Sequence, residues 1–348
     1  MLRQNGGRAL TMGNPVLVEV VRGGLVESRH CGAVAVTDAD GRGVLTLGDV
    51  ERPVYPRSAI KALQALPLIE SGAADRCGLG AEELALACAS HSGELGHIET
   101  ATRMLTRAGL DPSALKCGAH WPIHQPSAQA LARSGGHATA LHNNCSGKHA
   151  GLLCTACAMD ADRSTYIEAA HPVQREVKAA LESLAGAVLS QDVCAVDGCS
   201  VPTWAMPLSG LARAFARFGS GQGLAPMRAQ AAARLRAACA EKPWHVAGTG
   251  RFCTEIMQAF GARLFVKTGA EGVFCAALPE QGLGIAVKCD DGAGRAAEVM
   301  MAAIIARLLP EPRDRAVLER FVRPTLRNWN GIAVGSLRPT ELIGSDRA

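Results

Sequence analysis

Apolar positions in the first fifty residues fall into short runs separated by turn formers: VLVEVVR, then Gly23 and Gly24, LVESRHCGAVAVTD, a DADGRG turn, and VLTLGD. Extended runs between such breaks predict an antiparallel meander. From Pro56 the spacing becomes helical, with Ile60, Leu63 and Leu66 on one side and Pro67 placed to end or kink the helix. Between roughly 81 and 260 nearly every segment reads as helix, including EELALAC, IETATRMLTRAG, SAQALARSG, KHAGLLCTACAM, TYIEAAHPVQREVKAALESLAG, LSGLARAFARFG and MRAQAAARLRAACAE. Extended patterns return in ARLFVKTG, GVFCAALP and LGIAVKC, followed by GAGRAAEVMMAAIIARLL, apolar enough for a well-buried helix. The Arg- and Pro-rich stretch after Pro310 is the least readable.

Strands at both ends with helices between them predict an α/β fold with a mainly antiparallel central sheet built from both termini and flanked by helices. On this reading 1–70 and 261–348 form the sheet region and 71–260 a mainly helical region, packed as one compact unit.

Composition narrows the class. The chain has 348 residues, 48% hydrophobic and 20% charged, with a net charge of +4, which suits globular structure over disorder. Aromatics are only 4% and no Lys/Arg run interleaves with them, so nucleic acid is not expected as a partner. No apolar stretch reaches the length of a membrane span, and MLRQNGGRALTMGNP lacks the apolar region of a secretory signal; a soluble, cytoplasmic protein is the expectation. Thirteen cysteines, an odd number in a chain of this size, read as reduced core residues more readily than as a disulfide framework. Cys88, Cys275 and Cys289, each in an apolar run, fit that reading.

Candidate chemistry begins at YPRSAIK. The three-residue offset puts Ser58 and Lys61 on one face of a helix start, where burial and the helix dipole favour a neutral amine able to take the serine proton. Chance alone supplies such a spacing about once in a chain of this length. Lys267, in LFVKTGAEGVF at the end of a returning strand, completes the Ser-x-x-K then K-T-G order of penicillin-recognising serine enzymes, although their S-D-N element is absent. Ser90 in CASHSGE is the nearest stand-in and serves equally well as a cap or turn serine. HNNCSGKHAG brings Cys145, Lys148 and His149 together, and AVDGCSVPTW carries Asp197 and Cys199. Neither segment holds a C-x-x-C pair, and the one that exists, Cys154 to Cys157, lies in a helical apolar run. A thiolate from each loop with a nearby nitrogen would complete a zinc site; buried structural cysteines are the alternative. VAGTGRFCTE offers glycine-lined amides at a helix start, or a plain tight turn.

Together LVEVVRGGLVESRHCGAVAV, YPRSAIKALQALP, CASHSGE, HNNCSGKHAG, VDGCSVPTWAMPLSGLA and VAGTGRF resemble the rhizobial-type, or class 3, bacterial L-asparaginases, in order from about Val16 to Leu309. The resemblance implies a fold similar to serine β-lactamases and glutaminases, a homodimer, and hydrolysis of L-asparagine to L-aspartate and ammonia. It also implies catalytic pairs Ser58 with Lys61 and Ser90 with Lys267, zinc ligands Cys145, Lys148 and Cys199, and substrate contacts Arg57, His149 and Asp197. Backbone N–H groups at Ser58 and near Gly269 are the expected oxyanion donors. A glutaminase, a penicillin-recognising hydrolase and a zinc-binding sensor are the competing readings.

Overall fold

A computed structural model of the chain describes residues 13–344. The leader reading of the N-terminal stretch therefore lies largely outside the described residues.

The main sheet has eight strands, β1 Val16–Arg22, β2 Leu25–Thr37, β3 Gly43–Leu47, β4 Phe265–Thr268, β5 Val273–Leu278, β6 Leu283–Cys289, β7 Thr325–Arg327 and β8 Ala333–Pro339. Their order is β7-β8-β1-β2-β6-β5-β4, with β3 also paired to β2, and every pairing is antiparallel. β2 joins the halves: its first part pairs with β1 and its last part, Gly32 to Thr37, with β6. Because side chains alternate along a strand, the register Lys267, Cys275, Ala286, Ala35 places one row on one face.

The helix α1 Ser146–Ala158 lies in the helical block, α2 Leu208–Ser220 packs on one sheet face, and α3 Gly294–Leu308 contacts β1, β5, β6 and β8. Phe215 of α2 stacks with Phe265 of β4, two residues before Lys267, so the lysine faces the helical block. The opposite face carries Ile285 and Val287, both fully buried, and Met300 of α3 reaches Gly32 on it.

Three elements differ from the sequence reading. The segment after Pro56 is not one helix: a 3-10 turn at Arg57–Ile60 is followed by Lys61–Gln64 and Leu66–Glu70. The break falls before Pro67, whose ring nitrogen cannot donate to the preceding turn. The helix expected from Thr165 begins only at Pro172, where the His171 side chain accepts the Val173 N–H. The tail after Pro310 forms a helix, Pro312–Val322, and then β7 and β8. Cys88, Cys275 and Cys289 are fully buried, as their apolar runs require. No described helix is long and apolar enough to cross a membrane.

Candidate active site

The loop CASHSGE leaves the helix Ala81–Ala87 and is buried along its length from Cys88 to Gly93. Two consecutive residues of it hold the two candidate lysines. Lys61 Nζ donates to the Ala89 carbonyl at 2.6 Å, and Lys267 Nζ donates to Ser90 Oγ at 2.8 Å. Both lysines are 0% exposed, which is costly for an ammonium unless it is paired or loses its proton. Burial and the neighbouring charge of Lys61 lower the Lys267 amine to about 7.

Ser58 sits half-buried on the 3-10 turn, immediately after Arg57, whose φ of 51° is unusual for a residue with a side chain. Among the described residues no hydrogen bond joins Ser58 Oγ to Lys61. The Lys61 amine instead reaches the Ala89 carbonyl and the Asn144 carbonyl, the latter at 3.2 Å, because a buried amine seeks main-chain acceptors. Gly269 is also committed: its N–H donates to the Val273 carbonyl at 2.7 Å, so of the named oxyanion donors only the Ser58 N–H is left.

The second loop, HNNCSGKHAG, runs into α1. Gly147 is required there because a Cβ would lie 2.4 Å from the Leu86 carbonyl oxygen, in the helix that feeds Ser90. That close approach sets Cys145, Lys148 and His149 beside the first loop. Lys148 Nζ donates to Cys199 Sγ at 2.9 Å, and Cys199 in turn hydrogen-bonds Cys145. All three are nearly inaccessible, at 4% for Cys145, 2% for Lys148 and 3% for Cys199. The hydrogen bond from Cys199, helped by Lys61 and Lys148, overcomes burial and holds the Cys145 thiol well below its usual range. Burial disfavours the Lys148 ammonium, but Cys199 and Cys145 outweigh it and keep the amine above its ordinary value. Two sulfurs and an amine nitrogen, converging and shielded from water, fit a zinc ion once the lysine and thiol protons are displaced.

Asp197 forms an ion pair with Arg57 and accepts the Gly198 N–H at 2.9 Å. Burial pushes its carboxyl up, yet Lys148 and Arg57 prevail and hold it below the usual carboxylate range. The two expected substrate contacts therefore satisfy one another here. His149 is 0% exposed; its Nδ1 meets the Tyr166 hydroxyl at 2.6 Å, and its Nε2 lacks a hydrogen bond of normal geometry, with the Cys199 carbonyl its backbone neighbour. Tyr166 also accepts the Lys116 N–H at 2.9 Å, so its hydroxyl ties the histidine to the backbone at Lys116.

The third wall is VAGTGRF. Val246 accepts the Ser90 N–H at 3.0 Å, the Thr249 N–H and hydroxyl donate to the Glu94 carboxylate, and Arg251 reaches Ser92 Oγ at 3.1 Å. These amides bind a protein carboxylate, so the segment is a clamp on the serine loop. Tyr166, Asn144 and Glu94 escaped sequence reading; only the aromatic rarity of Tyr166, one of two tyrosines, singled it out.

Of the ten residues named from sequence, Ser90 and Lys267 form one cluster and Cys145, Lys148, Cys199, Asp197, Arg57 and His149 an adjoining one, bridged by Lys61 through Asn144, while Ser58 follows Arg57 on the 3-10 turn. The scaffold defines the class, a mixed α/β protein with an antiparallel central sheet. The chain is a member of the L-asparaginase II family, which it matches over residues 18–339. No match is found among curated proteins. Among solved structures, a β-lactamase from Mycobacterium bovis is similar at 16% identity over 83% of this chain and 94% of that one, with a TM-score of 0.39. A protein titled Mglu is similar at 14% identity, covering 76% of this chain and 64% of its own, with a TM-score of 0.35.

Proposed function

We propose that the chain is an L-asparaginase that hydrolyses L-asparagine to L-aspartate and ammonia through a Ser58 ester, working as a cytoplasmic homodimer. The observation that carries the mechanism is the grip of one loop on two fully buried lysines, at Ala89 and at Ser90. Lys61 donates two hydrogen bonds. In the reaction the Lys61 amine is the group that takes the Ser58 proton. Ser58, half-buried where Ser90 is only 4% exposed, is the serine a substrate reaches.

Ser58 Oγ then attacks the side-chain carboxamide, and the Ser58 N–H faces the developing oxyanion. Ser90 passes a proton to the leaving amine, drawn from Lys267, and ammonia departs as the aspartyl ester forms. The now neutral Lys267, acting through Ser90, removes a proton from water, whose oxygen attacks the ester carbonyl; the acyl–Oγ bond breaks as Lys61 returns its proton to Ser58, and both pairs are restored. For binding, the Arg57 and Asp197 pair opens, Asp197 taking the substrate ammonium and Arg57 with His149 its carboxylate. Cys145, Lys148 and Cys199 would hold zinc, which supplies a fixed positive centre that positions Asp197 and Asn144. The decisive experiment is ammonia release from asparagine by wild type and Ser58→Ala. A loss of about a thousandfold or more is expected, and retention of wild-type turnover overturns the nucleophile. Turnover of glutamine exceeding that of asparagine would make the chain a glutaminase.

One observation favours a second reading. Ser90 is the serine already hydrogen-bonded to an amine of lowered basicity, which is the arrangement of an activated nucleophile. Mass analysis of the trapped acyl-enzyme separates the two, since the ester resides on one serine or the other.

A further inference from the structure

On the sheet face opposite Lys267, three side chains converge that the reaction does not use. His30 projects from β2, Cys289 ends β6, and Asp291 follows in the turn before α3. His30 Nδ1 lies 2.6 Å from Asp291 Oδ2, and Cys289 Sγ lies 2.9 Å from Asp291 Oδ1. His30 is 5% exposed and Cys289 is 0%, while the Asp291 side chain is 49% exposed and opens the cluster to water.

We propose that His30, Cys289 and Asp291 form a second metal site, selective for a borderline divalent ion such as zinc, with water as the fourth ligand. The donor set of imidazole nitrogen, thiolate sulfur and carboxylate oxygen is the mixture zinc accepts and magnesium or calcium does not. A tetrahedral ion with ligands at about 2.0–2.3 Å holds its donor atoms roughly 3.3–3.7 Å apart. The three donor atoms here all lie within 4.8 Å of one another, close enough for small side-chain shifts to bring them to that spacing. Capping the turn needs Asp291 alone, through the Ala293 N–H at 2.9 Å; it does not need a buried histidine and a buried thiol aimed at the same carboxylate. The neighbouring cations are accounted for: Arg295, 3.4 Å from His30 Nε2, is exposed and can turn to solvent, and Arg52 is paired with Asp290. Binding exchanges the Cys289 thiol proton for the metal, while the imidazole proton moves to Nε2. One proton is released per ion.

The chain is stripped with chelator, titrated with zinc chloride at micromolar free metal, desalted and assayed for zinc per chain. Cys145→Ser/Cys199→Ser is expected to retain one zinc, and adding His30→Gln to remove it. Asp291→Asn, which keeps an oxygen for the Ala293 N–H, is expected to bind one fewer zinc than wild type with asparaginase turnover unchanged. Cadmium-113 NMR of the unaltered chain guards against misfolded variants: two resonances are expected, one for the two-sulfur set and one upfield for the one-sulfur set. A single resonance, or equal zinc content in wild type, His30→Gln and Asp291→Asn, overturns the site.

Discussion

Ser90 and Lys267, separated by 177 positions in the chain, are joined by a 2.8 Å hydrogen bond from Nζ to Oγ inside a water-excluded centre. The loop that bears the serine and the strand that bears the lysine meet only in the folded molecule, so their chemistry is a property of the fold.

That amine sets a pH dependence. Lys267 is lowered from 10.5 to about 7, so it gains its neutral form as pH rises through 7. Acylation draws on protonated Lys267, so ammonia release should show an alkaline limb centred near pH 7; a flat profile between pH 6 and 8 would exclude Lys267 from the proton relay. The stability consequence has the opposite sign. Below pH 7 the folded chain bears the full cost of a buried charge, and that cost falls away between about 7 and 10.5. Lys267→Met should raise Tm by several degrees at pH 6 and by much less at pH 10, while abolishing turnover.

Ser90→Ala should reduce steady-state ammonia release by about 10²–10⁴. If Ser90 serves proton transfer to the leaving group and the water, the variant still forms ester at Ser58 slowly, and quenched samples show the adduct. Absence of any adduct on Ser58 in this variant would favour Ser90 as the nucleophile.

Zinc should act on stability through Cys145, Lys148 and Cys199. Chelation is expected to lower Tm by roughly 3–8 °C, with recovery on adding zinc, because an ion held only by the folded chain stabilises it by mass action. Cys145→Ala should reduce that response to the part carried by His30, Cys289 and Asp291, measured by differential scanning fluorimetry with and without chelator.

Tyr166→Phe tests the orientation of His149. Without the hydroxyl, His149 Nδ1 loses its hydrogen-bond partner and the ring loses what fixes its orientation. KM for asparagine should rise about tenfold with a smaller change in kcat, as for a lost binding contact. Nitrogen-15 NMR of the imidazole reports the tautomer independently of turnover.

Gly248→Ala tests the clamp. Its φ is 112°, and an added Cβ would sit 2.5 Å from Glu94 Oε1 and 2.9 Å from Ser92 Cβ. The variant should lose about 1–3 kcal/mol of stability in urea unfolding, and turnover should drop as the serine loop shifts.

Much of this was legible before any coordinates. Strands such as VFCAAL and LGIAVKC announce themselves because buried sheet requires near-continuous apolar runs, and Lys267 is legible from the K-T-G that ends ARLFVKTG. The short motifs singled out nine of the ten site residues as candidates, but Arg57 and the roles of the others came only through resemblance, since Ser58 with Lys61 is a spacing chance also produces. What stayed hidden depends on contacts without local signature. No pattern in YPRSAIK tells that Lys61 reaches for Ala89 and Asn144 in place of Ser58. Tyr166 lies in a segment that read as helix and is turn, so its partner His149 could not be inferred. Arg57 and Asp197 were read as separate substrate contacts, and their mutual pairing appears only in three dimensions.

The sheet order has a further consequence, for the nascent chain. β1 finds one neighbour in β2 at once, but its other neighbour, β8, is among the last strands made, and β2 waits for β6. A ribosome-bound chain ending before residue 265 therefore carries both serines and Lys61 with an unpaired strand edge and no Lys267. Such an edge invites association with other chains. Catalytic competence and protection from aggregation arrive together, late in synthesis, when the returning strands close the sheet.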